Sequence, residues 1–300
     1  MTCIALGFNC NCFTNRFEEP EEWTRLCREM GVHKVMFNID LVDPYWPWDL
    51  QRKLCDRTLE ACTRNGVAIV CSFGGHHGHQ HYLGHPDPLC RREAEKFFRR
   101  AIRQTAYLGG RSFGTCFAIQ SVRTHQDPAL REEIMESAFD SYSRLAAYAA
   151  ELGLTSLSYE MTSVGRETCA TFAENDRVLA RGMEMAIPLR VCLDLGHRNL
   201  HGSAEEADHL AWIRRYGSRS TVIDCQQTDA KSSTHWPFTE EYNRRGVVRG
   251  EEVIRAIQDS GAKEILLAFE IRIAAFHPQE YAYGRSLEES VMYWRRWVHE

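Results

Sequence analysis

Two things are missing from this sequence of 300 residues: long apolar stretches and an excess of positive charge. No run approaches the roughly 18 consecutive apolar residues that cross a bilayer, so nothing marks a transmembrane helix. The first residues, Met1 to Cys12, lack the basic start and long apolar stretch of a secretory signal. A cytoplasmic protein is expected. Asp and Glu outnumber Lys and Arg by 41 to 36, a net charge of -5. That balance offers no global attraction to nucleic acid or to an anionic membrane, and neither is expected as a partner. No disordered tract, linker or second domain is visible, so residues 1–300 are expected to form one domain. Also missing is a G-x-G-x-x-G after the first apolar run, where Gly7-Phe-Asn-Cys10 stands instead. Its absence argues against an open dinucleotide-binding sheet.

Cysteine, by contrast, is plentiful, with 12 residues. In a long chain without a secretory signal these are expected to be reduced. Cys3, Cys71, Cys192 and Cys225 lie within apolar runs, where a thiol acts as a small hydrophobe. Cys10 and Cys12 form a C-x-C, but no second pair follows at zinc spacing.

Apolar runs begin near Cys3, His33, Val67, Arg111, Thr155, Pro188, Ser220 and Lys263, and a longer helical pattern follows each. The helices are expected at about Pro20 to Met30, Leu50 to Asn65, Pro88 to Leu108, Pro128 to Leu152, Glu167 to Met185, Ala204 to Tyr216, Gly250 to Ser260 and Leu287 to Trp297. Eight strand-helix units in a chain of this length predict a closed (β/α)8 TIM barrel. The long connections, such as Gly74 to Asp87 and Gln227 to Val248, all follow strands and so belong to the catalytic face.

Three of the apolar runs end in a carboxylate: Thr155 to Glu160, Pro188 to Asp194 and Glu264 to Glu270. With Gln226 after the seventh run, four adjacent strands would aim three carboxylates and an amide oxygen at one point. Hard oxygen donors suit Mn²⁺, Mg²⁺ or Co²⁺ better than a thiolate-bound zinc. His197 follows Asp194 by three residues and is placed to donate to a substrate hydroxyl or to orient Glu160. Arg166, Lys231, Ser232, Ser233, His235 and Arg272 also follow strands and are the donors that a phosphate would need. Trp46, Trp48 and Phe13 could wall a small sugar. The run Gly74 to His81, with His76, His77, His79 and His81, is a glycine-hinged lid bringing imidazole donors, a second transition-metal site with His85 and Asp87, or an incidental loop.

Glu160, Asp194-Leu-Gly-His197 and Glu270 together resemble the xylose isomerase-like TIM barrels, a superfamily of sugar isomerases and ketose 3-epimerases. The resemblance runs over nearly the whole chain. It implies that Glu160 and Glu270 both bind the metal and act as acid and base, that Asp194 is a metal ligand, and that His197 lies near substrate oxygens. It also implies a histidine ligand after strand seven, where this chain has Gln226. The segment Gln226 to Thr239 is similar to a branch acting on short ketose phosphates, such as erythrulose phosphate epimerases and isomerases.

The chemistry follows from the residues themselves. Moving a proton beside a ketose carbonyl creates an enediolate, whose charge a divalent cation neutralises. Two carboxylates on opposite faces would invert the carbon, whereas transfer between adjacent carbons would interconvert aldose and ketose. A sugar or sugar-phosphate isomerase is therefore expected, as a homo-oligomer (dimer or tetramer). Three other classes deserve weighing. A C-glycoside-cleaving barrel would need a partner subunit, a nuclease of the apurinic-endonuclease type would need more histidine ligands and a basic face, and a regulatory sugar-binding barrel would not need both Glu160 and Glu270.

Overall fold

A computed structural model of the chain describes residues 2–273, 278 and 280–298, without the side chain of His77. Eight parallel strands close into one barrel: β1 (Cys3–Asn9), β2 (Lys34–Asn38), β3 (Ala68–Phe73), β4 (Ser112–Cys116), β5 (Ser156–Glu160), β6 (Leu189–Asp194), β7 (Ser220–Cys225) and β8 (Glu264–Phe269). They pair in sequence order, and β1 meets β8 in a register running from Cys3 opposite Glu264 to Phe8 opposite Phe269. The expected fold is the observed one.

Both faces of the strands are covered, which is why β1, β2, β3, β6 and β8 read as nearly continuous apolar runs, whereas β5 alternates serines with Leu157 and Tyr159. Inside the barrel sit Ala5, Met36, Cys71, Phe73, Cys192, Val222, Leu266 and Ala268. The larger layer lies between sheet and helices and includes Phe8, Phe37, Val191, Ile223 and Leu267. Trp23 is fully buried there and stacks on Phe13 at 5.9 Å. Truncating such an aromatic to Ala costs about 3–5 kcal/mol.

The helices are α1 (Pro20–Glu29), α2 (Trp48–Asn65), α3 (Gly75–Gln80), α4 (Pro88–Tyr107), α5 (Val122–Gln126), α6 (Pro128–Glu151), α7 (Phe172–Gly182), α8 (His209–Tyr216), α9 (Glu240–Arg245), α10 (Gly250–Asp259) and α11 (Tyr283–Trp294). Those that start on Pro do so for a physical reason. Its missing N–H is one that the first turn leaves unbonded anyway, and at α4 and α6 the preceding Asp87 and Asp127 accept the next free N–H groups. Gly31, Gly66, Gly109, Gly153 and Gly261 all adopt positive φ where helices give way to strands. Two expected helices begin later than read. Glu167 to Thr171 precedes α7 as a 3₁₀ turn and loop, and Ala204 to Asp208 precedes α8 as a turn. Among the described residues, no helix is long and apolar enough to cross a membrane.

All strand carboxyl ends face one mouth of the barrel, and the longest connections gather there. Whatever these ends carry shares one cavity.

Candidate metal centre

Strands β5, β6 and β8 deliver Glu160, Asp194 and Glu270 to that mouth, and all three are buried. Three arrangements of side chains could each hold one ion, their ligand atoms lying within 4.8 Å of one another: Glu160, Asp194 and His197; Asp194, His235 and Glu270; and Glu160, Asp194, Asp224 and Glu270. Buried like charges at such separations need a compensating cation. Glu270 Oε2 is buried without a hydrogen bond and has only the His235 imidazole, 3.3 Å away, beside it, which leaves it free to take a cation. Oxygen-rich donors of this kind suit a hard divalent ion.

Asp194 is the most constrained of the set. Its Oδ1 accepts the backbone N–H groups of Gly196 (2.5 Å) and His197 (2.9 Å), so the chain turns sharply around the carboxylate. Gln226 Nε2 donates to both of its oxygens, at 2.9 and 3.0 Å. The other end of that amide is equally occupied. Gln226 Oε1 accepts the His235 backbone N–H at 2.6 Å and the Ser233 hydroxyl at 3.2 Å. A flipped amide would set oxygen against carboxylate and nitrogen against N–H, so the orientation is dictated by its neighbours. Gln226 is therefore at the centre as expected, but it presents nitrogen to Asp194 and spends its oxygen on the loop after β7. Gly196 makes room for it: a Cβ there would lie 2.5 Å from Gln226 Cδ.

His197 Nδ1 lies 3.1 Å from Glu160 and 4.0 Å from Asp194. Burial disfavours its charge, but Asp194 and Glu160 outweigh that and raise its pKa well above the usual imidazole range. Burial also raises Glu160 despite the opposing His197. Glu270 goes the other way: burial alone would raise it, yet Arg272, His235 and His197 hold it well below the carboxylate range. Arg272 Nη2 sits 2.5 Å from Glu270 Oε1, which also accepts from Asn11 Nδ2 at 3.2 Å.

Two residues matter more than their sequence context suggested. His235 reaches the centre from nine positions beyond Gln226, its Nδ1 lying 3.3 Å from Glu270 Oε2. The loop folds back through paired bonds between Gln227 and Trp236. His235 has φ +49°, a left-handed conformation costing about 1–2 kcal/mol in a non-glycine residue. Bonds to Gln226, to the Glu270 carbonyl and from Arg272 N–H hold it there. Asp224 was not anticipated at all. It is fully buried, accepts from Asn9 Nδ2 at 3.3 Å and from Cys192 Sγ at 3.4 Å, and its pKa is pushed well up by burial and by Glu270, Glu160 and Asp194.

Other candidates lie elsewhere. Arg166 bonds the Gln120 carbonyl and sits beside Glu167. Lys231 lines a cavity of about 600 Å³ with Arg198, Asp208 and His209. Trp46 is 41% exposed and borders a small recess with Trp23, Leu41 and Arg57. The histidine-rich run forms α3. There His76 is exposed and its N–H donates to Asp40, while His79 Nε2 is 3.7 Å from Cys116 Sγ. The side chain of His77 is outside the described residues. Among the described residues these imidazoles do not gather into a second metal group.

Residues 24–295 match the family model described as "Xylose isomerase-like TIM barrel". The chain is 30% identical over 297 residues to the D-erythrulose 1-phosphate 3-epimerase of Brucella abortus, covering 97% of this chain and 95% of the relative. A Rhodospirillum rubrum crystal structure, provisionally assigned as a xylose isomerase, superposes with a TM-score of 0.90 at 26% identity, over 98% of this chain and 99% of that one. The D-psicose 3-epimerase of Clostridium cellulolyticum H10 shares the fold, with a TM-score of 0.73 at 15% identity, over 99% of this chain and 100% of that one.

Proposed function

The chain belongs to the xylose isomerase-like TIM barrel family and is an isomerase, and we propose that it epimerises a short ketose phosphate at the carbon next to the carbonyl. The observation that carries this is the placement of two buried carboxylates, Glu160 and Glu270, three strands apart around one mouth and within reach of one point. A planar enediolate between them exposes one face to each. Glu270, kept ionised by Arg272 and His235, takes the proton on its side. Glu160, with His197 at 3.1 Å, returns one from the other. Each transfer is worth about 10²- to 10⁴-fold.

A divalent ion, Mn²⁺, Mg²⁺ or Co²⁺, held by the carboxylates would neutralise the charge that develops on the substrate oxygens. His197 and His235 flank the same space, with ring centroids 5.4 Å apart, and supply N–H donors for hydroxyl groups. The phosphate preference is supported by the name of the Brucella relative and by Arg272, whose guanidinium is half exposed beside Glu270. We place the enzyme in the cytoplasm as a homo-oligomer, with neither nucleic acid nor membrane as a partner. The two-carboxylate arrangement favours epimerisation over aldose–ketose exchange, because it provides a group for each face.

Four- to six-carbon ketoses and their phosphates, incubated in D₂O and followed by NMR, test the proposal. The wild type should take up deuterium at the epimerised carbon. Glu160→Gln and Glu270→Gln should each lower exchange by about 10²-fold or more. Wild-type exchange in both variants would end the two-carboxylate mechanism, and equal kcat/KM with and without phosphate would end the phosphate assignment.

A further inference from the structure

We infer that β7 reaches the metal through Asp224 rather than through Gln226, giving an all-carboxylate core of Glu160, Asp194, Asp224 and Glu270. The inference rests on the metal-dependent mechanism proposed above and narrows it: the site is built for a hard ion such as Mg²⁺ or Mn²⁺ rather than for one that favours imidazole.

Strand parity places both candidates correctly. Val222 belongs to the cluster filling the barrel interior, so Asp224 and Gln226 face inward with it, in successive layers. Their bonding then separates them. The Gln226 oxygen is used by the His235 N–H and the Ser233 hydroxyl, and its nitrogen cannot ligate a cation. Asp224 is the reverse case: a fully buried carboxylate whose donors are a long amide contact at 3.3 Å and a thiol at 3.4 Å. Among the described residues no Lys, Arg or His pairs with it directly, whereas Glu160 has His197 and Glu270 has Arg272 and His235. A carboxyl group buried with so little compensation either keeps its proton or is completed by a cation, and three further carboxylates converging on the same point favour the cation.

The spacing agrees. One oxygen from each of the four carboxylates lies within 4.8 Å of the others. In an octahedral shell of radius about 2.1 Å, ligand oxygens stand roughly 3–4.2 Å apart, so small side-chain shifts bring all four onto one ion. Glu270 belongs to the same group, and its buried Oε2 makes no hydrogen bond and has only the His235 imidazole beside it, at 3.3 Å. Carboxylate donors suit Mg²⁺ and Mn²⁺ best, with Co²⁺ intermediate, while each imidazole would favour a softer ion such as Zn²⁺.

Asp224→Asn keeps the shape and removes the charge. Calorimetric titration of the metal-free protein with Mn²⁺ should show at least about a 10-fold weaker Kd in this variant, and its melting temperature should gain less on Mn²⁺ addition than the wild type's. Asp224→His should shift preference toward Co²⁺, visible as a changed d–d spectrum. An unchanged Mn²⁺ Kd in Asp224→Asn, with native circular dichroism, overturns the inference. If Asp224→Asn does not fold, an unaltered Co²⁺ spectrum in Asp224→His overturns it instead. Asp194→Asn distinguishes the two levels: loss of Mn²⁺ binding there with full binding in Asp224→Asn sinks only the role of Asp224, whereas full binding in both sinks the metal centre itself.

Discussion

Replacing Gln226 by Leu should destabilise the metal-free protein by about 2–4 kcal/mol, and the figure can be built from the contacts. The amide nitrogen makes two bonds to the Asp194 carboxylate, at 2.9 and 3.0 Å. Hydrogen bonds to charged groups contribute about 1.5–3 kcal/mol. The amide oxygen accepts from the buried backbone of His235 at 2.6 Å, and orphaning that N–H adds about 1–3 kcal/mol. Leucine returns about 1–2 kcal/mol through apolar burial. Because His235 is held at φ +49° partly by this bond, the change should also release the loop. Urea unfolding followed by circular dichroism in EDTA measures the first effect, and amide hydrogen exchange at residues 229–236 the second. A loss below about 1 kcal/mol with unchanged exchange would show that Gln226 does not tie β6 to the β7 loop, and the orientation argued from its neighbours would fail.

Three further outcomes are expected. Gly196→Ala would set a methyl group 2.5 Å from Gln226 Cδ, a clash worth about 1–3 kcal/mol; turnover should fall while circular dichroism stays native, and full activity would show that Gln226 can move freely. His209 is held down to a pKa of about 4 by burial, with Arg198 and Arg214 adding to the effect against Asp208. Above its ordinary 6.5 both folded and unfolded forms are neutral, but as pH falls from 6.5 to 4 only the unfolded chain gains the proton. Stability is then lost across that window, by about 3 kcal/mol at its lower end; His209→Gln should flatten the pH dependence of urea unfolding there, and an unaltered slope would refute the assignment. Finally, Cys3 and Cys90 are exposed and Cys116 is half-buried, while the other thiols are buried, with Cys12, Cys55 and Cys62 pushed up to about 12 by burial. Thiol reagent should therefore modify two groups quickly, a third slowly and the rest only on unfolding; rapid reaction of more than three would contradict the packing.

What could be read from the sequence, and what could not, follows the same physics. Every strand begins within one residue of where its apolar run starts, because strands buried on both faces are mostly apolar. That same continuity hides which residues point inward. With no alternation to count in β7, Gln226 just beyond its end is conspicuous, whereas nothing local marks Asp224, one residue inside the strand, as facing inward. The three terminal carboxylates were legible because an acidic group that closes an apolar run needs compensation wherever the chain goes. Loops carried no such constraint. Helices α3, α5 and α9 are five or six residues long, too short for a period to register. His235 is brought to Glu270 only by the pairing of Gln227 with Trp236, a contact that local sequence does not announce. Nor could residue type alone say which end of the Gln226 amide meets Asp194. That depends on one backbone N–H, nine residues on, being donated from the opposite side. The three terminal carboxylates were thus visible in the chain, whereas Asp224 and His235 join them only through the inward parity of β7 and a loop whose path the fold determines.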